Sequence, residues 1–138
     1  MSYQIKYRDG YRYQLCEDFS IALPILIDDD ISGRFIKLTK KGVLTIRQDY
    51  AWDGPSGPTT DTPSTMCAAL VHDALYQLMR EGKLDATKWR PVVDRIFYNI
   101  LLADGVLPAR AALWYRGVSM FGEPNADPVN EKPVMTAP

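Results

Sequence analysis

Histidine is almost absent from this chain, with His72 the only one in 138 residues. That excludes metal sites built on histidine clusters, and it excludes the metal phosphohydrolases that pair a His-Asp with further histidine ligands. Cysteine is nearly as scarce. Cys16 and Cys67 stand far apart with no CxxC spacing, so a zinc ribbon or dithiol redox motif is excluded; two buried, reduced thiols are expected, and whether they meet in space is left open. An excess of charge is missing too, since 16 Lys and Arg against 17 Asp and Glu leave a formal net charge of -1. The charges are scattered, so nothing in the composition indicates nucleic acid or an anionic membrane surface as a partner. No apolar run approaches the roughly 18 residues of a membrane-spanning helix. The first residues, Met1-Ser2-Tyr3-Gln4-Ile5-Lys6, lack the apolar core of a signal peptide.

What is present reads as an ordinary folded domain: a hydrophobic fraction of 46% and a charged fraction of 24% over a length that can bury a core without covalent staples. Tyr3, Ile5 and Tyr7 alternate with polar residues, and Tyr11, Tyr13 and Leu15 resume the alternation after Asp9-Gly10. This predicts a β-hairpin over residues 2–16 with a two-residue type I′ turn. Residues 21–27 are apolar but contain Pro24, which suits an edge strand or an extended segment. Asp28-Asp29-Asp30 breaks it, and residues 35–39 and 43–47 around Lys40-Lys41-Gly42 predict a second hairpin.

Residues 50–63 hold two glycines and three prolines, so they are expected to be a loop whose shape proline fixes. A helix follows over residues 63–80, with Asp61 or Thr62 as cap, Pro63 in its first turn and Gly82 as stop. A second is expected to begin between Thr87 and Pro91 and to end at Gly105, and a third to run from about Pro108 to Phe121. The tail, 123–138, is proline-rich and expected to be flexible. The fold class is therefore α+β: antiparallel hairpins in residues 1–49, an Asp/Gly/Pro-rich loop, then a bundle of about three helices, together one domain over residues 1–122.

The helix with the histidine carries the chemistry. Tyr76 lies one turn from His72 on the same face, Asp73 projects about 100° around from it, and apolar residues crowd the remaining surface. A buried imidazole needs a partner, and Asp94, read as lying in the first turn of the next helix, is the obvious one. A carboxylate on one ring nitrogen fixes the tautomer and leaves the other nitrogen as a base for water or a hydroxyl. Asp73, turned toward the loop that runs from Trp52 to Gly57, could hold a hard cation together with backbone carbonyls, as Ca²⁺ requires. Ser56 and Ser64 are nearby, but neither sits in a nucleophile-elbow motif.

These residues carry a resemblance. His72-Asp73-Ala74-Leu75-Tyr76, Asp94 followed by Phe97, and the upstream Gly54-Pro55-Ser56-Gly57 resemble the secreted phospholipase A₂ superfamily, most closely its cysteine-poor branch in parvovirus capsid proteins. The likeness covers roughly residues 50–98. It implies a Ca²⁺-dependent hydrolase of lipid or another acyl ester, with His72 as base, Tyr76 and Asp94 orienting it, and Asp73, Gly54 and Gly57 at the calcium. The loop departs from the viral pattern in length, which brings in Asp53 as a further ligand. Over its whole length the chain also resembles a family of small proteins of tailed bacteriophages and prophages that carry a His-Asp-x-x-Tyr helix. That likeness implies a place in the cytoplasm of the bacterial host or in the virion. It also implies an alternative function, a non-catalytic virion or host-interaction protein that keeps the helix pair as structure.

Overall fold

The computed structural model describes residues 7–8, 13–52 and 63–121. Antiparallel strands occupy the first half and three helices the second, so the fold is α+β. The chain gathers into two compact units, a β unit within residues 5–52 and a helical unit within residues 53–133.

In the β unit, β3 (Phe19–Ala22), β4 (Ile31–Ser32), β5 (Ile36–Leu38) and β6 (Val43–Ile46) form one antiparallel sheet in the order β3-β6-β5-β4. The register sets Phe19, Ile46 and Ile36 side by side, and likewise Ile21, Leu44 and Leu38. Because side chains alternate with a period of two, one face of the sheet is a buried apolar layer. The opposite face carries Lys37 and a hydrogen-bonded pair, Ser20 Oγ and Thr45 Oγ1, at 2.9 Å. The second predicted hairpin is present as β5 and β6. Pro24 falls beyond the edge strand β3, where it removes no ladder bond; the chain bends there, with Ile25 N donating back to Leu23 O, while Leu23 N donates to Gly42 O and Ile27 N to Lys40 O. β4 was not expected from the sequence.

A smaller sheet joins β1 (Tyr7–Arg8), β2 (Tyr13–Leu15) and β7 (Ala51–Trp52) in the order β1-β2-β7. Its register corrects the predicted turn. A two-residue turn at Asp9-Gly10 would pair Arg8 with Tyr11, whereas Arg8 pairs with Gln14 and Tyr7 with Leu15. The reason is parity. Tyr7, Tyr11, Tyr13 and Leu15 are all at odd positions, and only an odd-length connection sets apolar against apolar across the strands. Residues 9–12, part of the five-residue connection between paired Arg8 and Gln14, and residues 2–6 lie outside the described part. β7 is a further correction, because residues 51–52 were expected in the loop. They pair with β2 instead, and Trp52 is buried with its ring 5.6 Å from that of Tyr13.

In the helical unit, α1 (Pro63–Arg80) packs on α2 (Ala86–Ala103), and α2 packs on α3 (Pro108–Phe121). α1 is buried on nearly every side, as its all-round apolar sequence requires; among its residues of described burial, 65–80, only Asp73, Gln77 and Arg80, spaced along one stripe, are partly exposed. Both α1 and α2 end in the same way. Gly82 and Gly105 adopt positive φ, and the next residues, Lys83 and Val106, donate back to Leu78 O and Leu101 O. α2 starts earlier than expected. Asp85 is its N-cap, accepting from Thr87 N at 3.1 Å, so Pro91 lies inside the helix and Asp94 lies two turns in, not in the first turn. Asp94 is therefore not a carboxylate placed for the helix dipole. α3 has the expected bounds. The tail, 123–138, and the proposed caps Asp61 and Thr62 lie outside the described residues. No helix among the described residues is long and apolar enough to cross a membrane.

Gly42 gives the fold a sharp test. Its φ is +94°, and a Cβ there would stand 2.3 Å from Leu23 O and 2.5 Å from Ile25 O, whereas Gly82, at φ +74°, has nothing within 4 Å. Gly42→Ala is expected to lower stability by about 3 kcal/mol, strain and steric overlap together, and Gly82→Ala by only about 1 kcal/mol. Urea unfolding of both variants measures this, and equal losses would remove the close approach from the account.

Candidate functional site: a buried histidine, aspartate and tyrosine

The α1–α2 contact brings together three of the predicted residues. His72 Nε2 lies 2.8 Å from Asp94 Oδ1, and Tyr76 donates its hydroxyl to the same oxygen at 2.6 Å. Helical spacing explains the convergence: His72 and Tyr76 are one turn apart on α1, so both reach one point on the facing helix. The imidazole is stacked on the Tyr76 ring at 4.1 Å and tilted against Phe97 at 5.0 Å, and Phe97 lies 6.1 Å from Trp114 on α3. His72 is 8% exposed and Asp94 2%, among the apolar Val93, Ile96, Phe97, Ile100 and Leu101 of the same helix.

Burying a carboxylate there is costly unless its oxygens are satisfied. Asp94 Oδ1 accepts twice, and since an ionised carboxylate can only accept, Nε2 is the protonated ring nitrogen. Nδ1 then carries the lone pair, and it has no hydrogen-bond partner among the described residues. The geometry makes His72 an oriented base with an aromatic cradle. The Tyr76 hydroxyl is held protonated, its pKa raised by burial first, then by the hydrogen bond to Asp94 and by that carboxylate's charge; the Arg90 guanidinium acts in the opposite sense. Arg90 was not foreseen. It lies one turn before Asp94 on α2 and donates to Ser119 O on α3 at 2.5 Å, so it ties the cluster to the third helix. Its i, i+4 spacing from Asp94 was the available signal.

The predicted metal ligands are not gathered in the described part. Asp73 lies half-buried on the α1 stripe with Gln77 and Arg80, a quarter-turn from His72. Asp53, Gly54 and Gly57 fall outside the described residues, and among those described no group of three His, Cys, Asp or Glu could hold a metal ion. Both cysteines are free thiols, but Cys16 is half-buried and not buried as expected, because it lies just past the end of β2. Cys67, on α1, is buried, and burial first and the Asp104 carboxylate second push its thiol from 9.0 up to about 12.

The fold and site define an α+β protein whose helical half is built around a buried His-Asp-Tyr cluster. Residues 40–118 match the family described as "Protein of unknown function (DUF1353)", and the chain belongs to that family. The match takes in α1, α2 and the cluster. No curated protein and no solved structure matches the chain.

Two outcomes follow from the cluster and its neighbour. Asp94→Ala leaves the His72 and Tyr76 donors buried without their acceptor and is expected to cost about 3 kcal/mol in urea unfolding; a loss under about 1 kcal/mol would mean that Asp94 is not the common acceptor. Alkali acts through Cys67 and Tyr76, which hold their protons more tightly folded than unfolded. The stability they contribute is complete below 9.0 and 10.0 and declines as pH rises beyond those values. The urea midpoint is expected to fall above pH 9.0, and less steeply in Cys67→Ala. Identical slopes would show that the thiol does not contribute.

Proposed function

We propose that the chain is a phospholipase A₂-like ester hydrolase in which His72 is the general base for water. The observation that carries this is the Asp94 carboxylate on His72 Nε2 with Tyr76 on the same oxygen, which leaves Nδ1 as the basic nitrogen. His72 Nδ1 removes a proton from water as the water oxygen attacks the acyl carbon. Asp94 remains ionised and stabilises the imidazolium, and the proton then passes to the leaving alcohol oxygen as the ester bond breaks. Tyr76 holds the carboxylate in place, and its stacked ring limits the tilt of the imidazole.

Calcium belongs to this reading through the chemistry of the donors. Asp73 and Asp53 with the carbonyls of Gly54 and Gly57 would be hard oxygen ligands of the kind Ca²⁺ takes. Bound there, the ion would polarise the ester carbonyl. The setting that goes with the reading is a phage protein, in the host cytoplasm or the virion, acting on lipid or a related acyl ester.

A second reading rests on burial. His72 is 8% exposed and its cluster is tied to all three helices, which suits a non-catalytic phage protein, a virion component or a host-interaction factor, that keeps the helix pair as structure. The two separate in His72→Gln, whose side-chain amide can still donate to Asp94 but cannot act as a base. Hydrolysis predicts a folded variant with Ca²⁺-dependent fatty-acid release reduced about 100-fold or more. Undiminished release, or a natural chain that releases none and binds no Ca²⁺ by calorimetry, would rule the hydrolase out.

A further inference from the structure

The short connection between α1 and α2, residues 81–85, sets the two packed helices antiparallel. One turn onward from His72 along α1 is therefore level with one turn back from Asp94 along α2, and Tyr76 and Arg90 occupy those two places. Arg90 is half-buried there. Its guanidinium donates to Ser119 O on α3 and is hydrogen-bonded to the Tyr76 side chain.

Donor and acceptor chemistry sets the direction of each bond. A guanidinium can only donate, so the Tyr76 oxygen accepts from Arg90. The one proton of the hydroxyl is left for Asp94 Oδ1, which it meets at 2.6 Å, and His72 Nε2 reaches the same oxygen at 2.8 Å. The bonds thus run from Arg90 to Tyr76 to Asp94, and a hydroxyl that accepts a hydrogen bond is polarised into a stronger donor. Tyr76 is only 2% exposed, so without the guanidinium its oxygen would lose an acceptor bond that water is poorly placed to replace. Charge points the same way: with His72 neutral, Asp94 is a buried anion, and Arg90 places a cation one turn away on the same helix.

We infer that Arg90 is a positioning residue of this site, orienting the Tyr76 hydroxyl as a donor to Asp94 and so holding the carboxylate on His72. Support for a catalytic base rests on the hydrolase reading; the orientation of the hydroxyl does not. A residue that merely tied α2 to α3 through Ser119 O would leave the Tyr76 hydroxyl unaffected.

The hydroxyl itself is the probe. In equal parts of H₂O and D₂O, the ring Cζ of a tyrosine whose hydroxyl exchanges slowly gives a pair of carbon resonances, and Tyr76→Phe identifies the pair that belongs to Tyr76. Slow exchange is expected in the natural full-length chain. It is expected to quicken at least about tenfold in Arg90→Met, which keeps the stem and loses the donor, and to be largely restored in Arg90→Lys. Gly82→Ala, which lowers stability away from the cluster, is the control, and the imidazole N–H of His72 shows that each variant is folded around Asp94. Fast exchange in the natural chain, exchange in Arg90→Met no faster than in Gly82→Ala, or Arg90→Lys as unprotected as Arg90→Met would overturn the inference. In an ester-hydrolysis assay Arg90→Met is expected to lower kcat about tenfold and to leave KM within about twofold. A natural chain that hydrolyses nothing would sink the hydrolase reading and leave the hydroxyl exchange to decide on Arg90, whereas undiminished kcat in Arg90→Met would overturn its support of the base.

Discussion

The helical half of this protein depends on a carboxylate oxygen that accepts two hydrogen bonds inside a helix–helix contact. Asp94 Oδ1 receives His72 Nε2 and the Tyr76 hydroxyl, and this shared acceptor is what allows three polar groups to sit in the seam between α1 and α2. An aspartate buried among Val93, Ile96 and Phe97 would otherwise be a large penalty. Satisfied, it fixes the rotation of both helices, because α1 must present His72 and Tyr76 to one point and α2 must present Asp94. The surrounding rings then restrict the imidazole from its faces.

The same constraint gives the site its chemistry. A histidine held on one nitrogen by a carboxylate is both a structural bond and an oriented base, and nothing in the pair itself separates the roles. What distinguishes them is the second nitrogen. Arg90 and Ser119 extend the cluster to α3, so the polar seam is supported from three helices and is not an accident of one contact. Membership of the family described as of unknown function fits the span of residues that holds this cluster.

Much of this was legible because the signals were local. Pro108 at the start of α3, glycines at 82 and 105, and the period-two pattern around Lys40-Lys41-Gly42 each mark a boundary by their own backbone chemistry. The meeting of His72, Tyr76 and Asp94 followed from helical spacing and the cost of burying unpaired polar groups. α2 starts before the expected Thr87–Pro91 because Asp85 caps it and Pro91 is tolerated inside; both Thr87 and Pro91 are exposed, so water can satisfy the carbonyl that Pro91 cannot. β4 and β7 are two residues each, too short for any pattern to register. The alternation around Asp9-Gly10 marks the hairpin correctly, but a two-residue turn there conflicts with the parity of the tyrosines, which requires an odd-length connection. Arg90 escaped because its partners lie on α1 and α3, distant in sequence.

Asp94 keeps the proton of neutral His72 on Nε2 and leaves Nδ1 as the basic nitrogen. With one histidine in the chain, long-range ¹H–¹⁵N correlation of the imidazole reads that tautomer without assignment ambiguity. A protonated Nε2 and a bare Nδ1 are expected in the natural chain, with that preference lost in Asp94→Asn. A neutral ring protonated on Nδ1, or a tautomer mixture unchanged by that substitution, would contradict it.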